Sequence, residues 1–244
     1  AELVAGGLLG RKSGRGFYAY PEGAPALPPA EYAPLTPTAD VTVHGKGPLA
    51  DLLQQRLARA AVARNLDFDR QSDWVGLQIG PARLVFTDGR TAQALAGAFG
   101  QADVAAVDWP LAALIAGPIP KHAYLAHAMA PQASAEWAQQ APAWLAVLGW
   151  TPLRLSDTPG LAVARTVSML INEAADAVLQ GVCTPDAADA AMKLGVNYPA
   201  GPFEWLKALG ASRVLAVLRR LDQEYRGERY RSSPWLRRHL EQDA

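Results

Sequence analysis

The segment from Ala190 to Trp205, AAMKLGVNYPAGPFEW, restricts the fold more than any other part of the chain. A helix must precede it, because Thr184 can accept a hydrogen bond from an exposed amide as an N-cap and Pro185 suits a first helical turn. Good helix formers continue from there until Gly195. We predict that Gly195 ends this helix in a left-handed conformation.

A second helix is predicted directly after the first. The step Tyr198-Pro199 is extended, because the residue before a proline is steered away from the α region. Gly201 and Pro202 restart a helix, and Gly210 ends it. The residues of this segment therefore predict a helical hairpin in an all-α domain.

Composition and charge limit the class of protein. The chain has 244 residues, of which 50% are hydrophobic and 19% charged, which predicts one or two globular domains. Lys+Arg and Asp+Glu both number 23, so there is no electrostatic footprint for nucleic acid or an anionic membrane. The single Cys183 excludes an internal disulfide and is interpreted as a small apolar residue near a helix end. We find no pattern typical of a metal site, a signal peptide or a membrane span, and we expect a cytoplasmic protein.

Two segments carry a family resemblance. The pattern AMKLGxxYPxGPFE, and LSDTPGLAV at residues 155–163, resemble the C-terminal helical domain of the 3-hydroxyacyl-CoA dehydrogenase family. The resemblance extends from Leu155 to about Leu209. It implies an all-α domain at residues 158–244, and it implies that such domains pair across a dimer interface.

The N-terminal residues 1–20 contain a basic, glycine-rich turn followed by Phe17 and Tyr18. Such a turn can bring backbone amides to a phosphate, or it can be an exposed turn that holds a tail in place by its aromatic side chains. The segment LLGRKSGRGFYAY resembles the one that closes the helical domain of the same family. We therefore expect residues 1–20 to be the tail of a preceding helical domain, joined by a proline-rich linker at 21–38.

This layout implies a duplicated dehydrogenase. An entire first copy would precede Ala1, and this chain would hold the tail of the first copy and most of the second. Duplicated dehydrogenases of this kind resemble the bacterial 3-hydroxyadipyl-CoA dehydrogenases of phenylacetate breakdown.

Residues 39–157 are predicted to form a Rossmann-like α/β domain. Strands alternate with helices, which favours a mainly parallel, doubly wound sheet, and the segment 65–69 is a poor strand. Strands are predicted at 41–47, 73–79, 83–87, 104–108, 124–129 and 151–155, and helices at 48–63, 91–99 and 134–148.

The turn after the first strand resembles a dinucleotide-binding fingerprint. Gly45, Gly47 and Ala50 satisfy G-x-G-x-x-A, and Asp67 or Asp69 stands at the distance from which an acid meets the ribose of NAD. Pro48, however, removes one amide from the helix N-terminus that faces a pyrophosphate. We therefore predict a degenerate Rossmann-like sheet that no longer holds the cofactor.

The resemblance also implies where catalytic groups would lie. In the family, a histidine just before an N-P-x-P turn acts as the base, a glutamate orients it, and an asparagine lies on the first long helix. The turn matches Gly117-Pro118-Ile119-Pro120. The three family positions fall on Leu114, Ala126 and Ala164, all apolar. His122 and His127 stand near the turn but match none of these positions.

Two polar features of the helical domain remain open. Asn172 and Glu173 interrupt the apolar stripe of the first long helix, and solvent or an interface is the better explanation for them. A later helix, which Ser212 can cap, has a basic side that could meet CoA phosphates or face solvent. Its arginines are Arg213, Arg219, Arg220 and Arg226.

The expected function combines these observations. The chain is predicted to be part of an NAD-dependent 3-hydroxyacyl-CoA dehydrogenase, as a catalytically empty second copy that serves packing and dimerisation. One alternative is a module that binds acyl-CoA without transforming it. Another is activity through His122 or His127.

Overall fold

A seven-stranded sheet and the helices around it form most of the part of the chain described by the computed structural model. The described residues are 6–10, 12–16, 19, 39–60, 63, 65–115 and 123–242, with side chains as far as residue 239. The contacts divide the chain into two units, Ala1–Glu31 and Tyr32–Ala244. In the first unit, Gly10 and Arg15 form a β-bridge, and the Ser13 hydroxyl donates to the Arg15 carbonyl at 2.8 Å. The predicted aromatic anchors Phe17 and Tyr18 lie outside the described residues.

The sheet of the second unit has the spatial order β2-β1-β3-β4-β5-β6-β7. Its strands are β1 (Asp40–His44), β2 (Asn65–Asp69), β3 (Gly76–Ile79), β4 (Ala82–Phe86), β5 (Val104–Val107), β6 (Tyr124–Met129) and β7 (Thr151–Arg154).

The strand directions are mixed, so the prediction of a mainly parallel sheet is wrong. Pairs β1–β2, β4–β5 and β6–β7 are parallel, whereas β1–β3, β3–β4 and β5–β6 are antiparallel. The reason is local: two residues, Gly80 and Pro81, separate β3 from β4. A parallel connection needs a crossover of about a dozen residues or more, so these strands form a hairpin.

The segment predicted to be a poor strand is the edge strand β2, which pairs with β1. Four of its five residues are exposed. An edge strand of this kind lacks the hydrophobic alternation by which strands are recognised in a sequence.

Three helices beside the sheet begin within one residue of their predicted starts, and a fourth, at Leu111–Leu114, was not predicted. They are α1 (Pro48–Ala60), α2 (Ala92–Phe99), α3 (Leu111–Leu114) and α4 (Ala135–Val147). Thr91 caps α2 by accepting from the Ala94 amide, and Ser134 caps α4 by accepting from the Trp137 amide, each at 3.0 Å.

The remaining helices pack around one long helix. They are α5 (Val163–Leu179), α6 (Pro185–Val196), α7 (Pro202–Leu209), α8 (Ala211–Tyr225) and α9 (Pro234–Gln242), with a short 3₁₀ turn at Glu228–Tyr230. Ile171 of α5 and Leu215 and Leu218 of α8 are fully buried. They belong to the same hydrophobic cluster as Leu77 of β3 and Trp144 of α4, so a continuous apolar core joins the sheet and the helices. In the described part of the chain, no helix has the length and hydropathy that a membrane span requires.

The end of α6 differs from the prediction. The helix passes through Gly195 and ends at Asn197, which has φ 58° and ψ 39°, and the Tyr198 amide bonds to the Met192 carbonyl. Asn tolerates this left-handed conformation because its short polar side chain can bond locally. Likewise α8 begins at Ala211, one residue before the predicted cap Ser212.

Asn172 is an internal anchor, which corrects its assignment to solvent or an interface. Its side chain is 2% exposed. Its Nδ2 donates to the Arg231 carbonyl at 2.9 Å, and its Oδ1 accepts from the Ser233 amide at 2.7 Å. The side chain therefore holds the start of α9 against α5, whereas its neighbour Glu173 is exposed.

Replacing Gly195 by alanine tests where α6 ends. We expect Gly195→Ala to raise the free energy of unfolding by about 0.5–1 kcal/mol, because an interior helical glycine loses more backbone entropy than alanine. No atom lies within 4 Å of the added Cβ. Urea unfolding measures the change.

Asn197→Ala is the matched control and should cost about 1 kcal/mol, because alanine lacks the local bonds that support a left-handed residue. Destabilisation by Gly195→Ala would show that the helix ends at the glycine after all.

Candidate functional site

The turn between β1 and α1 has the backbone of a glycine-rich loop. Gly45 and Gly47 have φ values of 87° and 86°. A Cβ on Gly45 would lie 2.5 Å from the Trp74 carbonyl oxygen, so this glycine is required by packing inside the chain. A Cβ on Gly47 would meet nothing within 4 Å. Ala50, the third fingerprint position, is buried in α1.

The crevice beside this turn is too small for a cofactor. Its volume is about 10 Å³, which is room for about one water molecule. Phe68 and Arg70, from the end of β2 and the turn after it, form one wall. Pro48, at the start of α1, supplies no amide. The small crevice and the missing amide both count against a dinucleotide pyrophosphate at this turn.

The acidic residue at the end of β2 is engaged inside the chain. Asp69 Oδ2 accepts from the Ser72 hydroxyl at 2.6 Å, and Ser72 Oγ lies 2.6 Å from His44 Nδ1. Because the hydroxyl proton goes to the carboxylate, Nδ1 must be the donor toward Ser72. The hydroxyl bond lowers the pKa of Asp69, and burial lowers the pKa of His44. Asp67, the other predicted ribose ligand, accepts from the amide of its neighbour Phe68.

The three family catalytic positions lie in α3, in β6 and in the first turn of α5. Leu114 ends the short helix α3 and is partly buried, and Ala126 lies within β6. Ala164 is fully buried in the first turn of α5. The predicted turn 117–120 and His122 lie outside the described residues.

Asp108, which the sequence did not single out as a functional residue, connects two of these positions. Its amide donates to the Ala126 carbonyl at 2.9 Å, and its Oδ1 accepts from the Ala164 amide at 2.8 Å. Its Oδ2 accepts from the amides of Ala162 at 3.0 Å and Val163 at 2.7 Å. Burial raises the pKa of Asp108, and the hydrogen bonds from these amides and from Trp109 oppose that shift. The signal available in the sequence was an acidic residue directly after the apolar strand VAAV.

An apolar cleft of about 190 Å³ opens beside this acid. Tyr124 is half exposed at the cleft, and the described lining residues include no histidine, carboxylate or lysine. The lining consists of Trp109, Pro110, Leu111, Ala112, Ala113, Ala123, Tyr124, Trp150 and Val163. The described lining can hold an apolar group, and none of its residues is suited to act as a general base.

His127 does not reach this cleft as a base. It lies in β6, is 2% exposed, and its Nδ1 has no hydrogen-bond partner among the described residues. Burial and the nearby charge of Arg154 lower its pKa to about 4. His127 is therefore a neutral, packed side chain near pH 7.

The polar residues of the helical hairpin are also fully used in structure. Asp189 is 8% exposed and accepts from the amides of Phe203 at 2.7 Å and Glu204 at 3.1 Å, which caps α7. A Cβ on Gly201 would collide with the Asp189 carboxylate. Lys193 forms an ion pair with Glu204. These contacts explain the sequence pattern of the hairpin without any catalytic role.

Replacing Asp108 by asparagine tests its role in positioning α5. We expect Asp108→Asn to lower the free energy of unfolding by about 2–4 kcal/mol, because an amide nitrogen would face helix amides that now donate to a carboxylate. Urea unfolding followed by circular dichroism measures the loss.

The matched control is Asp157→Asn. Asp157 is partly exposed and accepts from two amides at the start of α2, Ala92 at 2.7 Å and Gln93 at 2.9 Å. We expect a cost of about 1 kcal/mol, typical of a cap. Equal losses for the two variants would contradict a special role for Asp108.

Acid should weaken the fold through His127. The unfolded chain takes up a proton below about pH 6.5, whereas the folded chain does so near pH 4, so the free energy of unfolding falls as pH drops through this window. The lowered pKa corresponds to about 3 kcal/mol. Between pH 7 and pH 4 the free energy of unfolding should fall less for His127→Leu than for the wild type. We expect the difference to be about 3 kcal/mol, measured by urea unfolding at each pH. Parallel pH profiles for the two proteins would exclude His127 as the cause.

Two family models match the chain. One, described as the C-terminal domain of 3-hydroxyacyl-CoA dehydrogenase, matches residues 150–244. The other, described as the 3-hydroxybutyryl-CoA dehydrogenase reduced Rossmann-fold domain, matches residues 84–159. The second match begins in β4, so the glycine turn at Gly45 lies outside it.

Individual relatives agree with these matches. The chain is 35% identical to the 3-hydroxyadipyl-CoA dehydrogenase of Escherichia coli K12 over 236 residues, which is 97% of this chain and 42% of that protein. It is 41% identical over 91 residues to a probable 3-hydroxybutyryl-CoA dehydrogenase of Deinococcus radiodurans, 37% of this chain and 33% of that protein. The crystal structure of a 3-hydroxybutyryl-CoA dehydrogenase from E. coli K12 superposes with a TM-score of 0.75 at 32% identity, over 99% of this chain and 43% of that one. The chain thus spans less than half the length of these relatives.

Proposed function

Because the chain belongs to the 3-hydroxyacyl-CoA dehydrogenase family, we propose that it is part of an NAD-dependent enzyme that oxidises a 3-hydroxyacyl-CoA to a 3-oxoacyl-CoA. Within that enzyme, this chain is a catalytically empty second copy of the dehydrogenase unit. Its role is packing and dimerisation. The likeness to the E. coli protein favours a 3-hydroxyadipyl-CoA substrate for the whole enzyme.

The observation that carries this proposal is that apolar residues occupy the family catalytic positions. Oxidation of a 3-hydroxyl group needs a base to take its proton while hydride leaves for nicotinamide. Here the positions are Leu114, Ala126 and Ala164, and Asp108 binds the backbone of two of them. Both oxygens of its carboxylate accept hydrogen bonds from helix amides, so the carboxylate is not available to orient a base.

NAD, when bound to a Rossmann fold, supplies the hydride acceptor of such a reaction. In this chain the crevice of about 10 Å³ and the engaged Asp69 do not fit it. We therefore assign NAD binding to the first copy of the enzyme and derive no step through the cofactor here.

A pairing role is supported by the surface of α6. Two residues of this helix, Ala188 and Asp189, are buried. The opposite face exposes Ala187, Ala191 and Leu194, and Leu194 is 88% exposed. These three residues lie four and three positions apart and form one apolar stripe. An apolar stripe of this kind suits the helical domain of the first copy or of a second molecule.

An alternative function is acyl-CoA binding without catalysis. It is favoured by the apolar cleft of about 190 Å³ beside Trp109 and Trp150, which is large enough for a short acyl group. Calorimetry with free CoA and with CoA esters separates the two functions. If CoA esters bind more tightly than free CoA, and more tightly as the acyl chain lengthens, the binding module is supported. Equal affinities for free CoA and the esters support the packing role.

Turnover is the direct test of the proposed function. Purified chain supplied with NAD and a 3-hydroxyacyl-CoA should produce no NADH above background, because no base lies at the family positions. The E. coli 3-hydroxyadipyl-CoA dehydrogenase serves as the positive control. NADH production that His127→Leu abolishes would overturn the proposal in favour of a histidine-based activity.

The same preparation tests pairing. Leu194→Glu should shift the sedimentation profile from the paired species toward the monomer, because a charge would then lie in the apolar stripe. Val182→Glu is the matched control, since Val182 is 73% exposed and lies in the loop after α5, outside the stripe. An unchanged sedimentation profile for Leu194→Glu would remove α6 as the pairing surface.

A further inference from the structure

A groove of about 450 Å³ lies between the C-terminal half of α8, the 3₁₀ turn and the first turn of α9. It is remote in sequence from the glycine turn and from the apolar cleft. Three arginines and two acidic residues face it. The lining residues are Arg219, Asp222, Gly227, Glu228, Arg231, Ser232 and Arg237.

The guanidinium groups in this groove differ in their ion-pair partners. Arg231 Nη2 bonds to Asp176 Oδ2 at 2.6 Å, so its position is fixed from outside the groove. Arg219 and Arg237 are exposed and form no ion pair within the described residues. Two guanidinium groups therefore keep all their donors available.

The charge of the surrounding segment is strongly asymmetric. Residues 211–238 contain eight arginines and three carboxylates, a net charge of +5, although the whole chain is formally neutral. Arg213 belongs to the predicted basic side of α8, but its side chain is largely buried. This burial lowers the pKa of Arg213. The exposed positive charge is thus concentrated toward the groove end of α8 and the start of α9.

Asp222 and Glu228 limit which anion can bind. They reduce the local positive potential, so a single carboxylate gains little from the groove. A phosphate offers several strong acceptor oxygens, and its geometry matches the planar fork of arginine. A diphosphate can bridge two guanidinium groups at once.

We propose that this groove binds the phosphate or diphosphate group of a small organic phosphate. Arg219 and Arg237 contact the anion directly. Arg231, fixed by Asp176, supplies a third guanidinium, and the Ser232 hydroxyl can donate beside it. The site is separate from the hydroxyacyl chemistry and does not rest on the function proposed above.

Isothermal titration with inorganic pyrophosphate tests this site. We expect saturable binding that weakens as salt is added, because exposed charges are screened. The double variant Arg219→Gln/Arg237→Gln should weaken binding by at least about tenfold, since it removes the charge-assisted hydrogen bonds of both direct contacts. Both side chains are exposed, so the variant should keep its near-UV circular dichroism.

Arg238→Gln is the matched control, because Arg238 is the exposed neighbour of Arg237 and does not line the groove. It should leave affinity within about twofold of wild type. Parallel titrations with inorganic phosphate, CoA and pantetheine identify the source of the anion, since pantetheine lacks phosphate. Absence of saturable pyrophosphate binding would refute the proposal, as would equal affinities for the wild type and the double variant. Pantetheine binding as tightly as CoA would also count against it.

Discussion

The Asp108 carboxylate joins the two halves of this structure. Asp108 directly follows β5, and its carboxylate accepts hydrogen bonds from the amides of Ala162, Val163 and Ala164 at the start of α5. Burying a carboxylate is costly, but the free amides of a helix N-terminus and the helix dipole offset that cost. The helices α7, α8 and α9 pack against α5. The acidic side chain that follows β5 therefore fixes the start of the helix against which these helices pack.

The same interaction gives the backbone a structural role at two of the family catalytic positions. At Ala126 and Ala164, the backbone has a structural role through Asp108, and the side chains carry no polar group. In the hairpin, Asp189, Gly201 and Glu204 are fixed by helix capping and close approach. A segment that is conspicuous in sequence can therefore specify architecture alone.

Sequence reasoning was most successful where structure is local. The cap at Thr184 and the helix start at Pro202 depend on neighbouring residues, and they were predicted correctly. The family resemblance was confirmed by both domain matches.

Features set by distant contacts were missed. The mixed strand directions depend on which strands pair with each other in the sheet. The strand β2 lacks an apolar pattern because it lies at the edge of the sheet. Asn172 and Asp108 have partners 54–61 residues away, and no local pattern indicates such pairs. The choice of Asn197 over Gly195 as the end of α6 was local, but both residues can adopt the left-handed conformation, so sequence did not separate them. No sequence pattern indicates the small size of the crevice beside Gly45, because Phe68 and Arg70, from the end of β2 and the turn after it, form one of its walls.

The carboxylate of Asp108 has a consequence for dividing the chain. A cut near residue 157 looks natural, because strands lie before it and helices after it. Such a cut would leave a carboxylate without its donors on one piece and the first amides of α5 without an acceptor on the other. It would also divide an apolar core that contains side chains from both pieces. The two regions are better treated as one cooperative folding unit than as modules to be produced separately or exchanged between related chains.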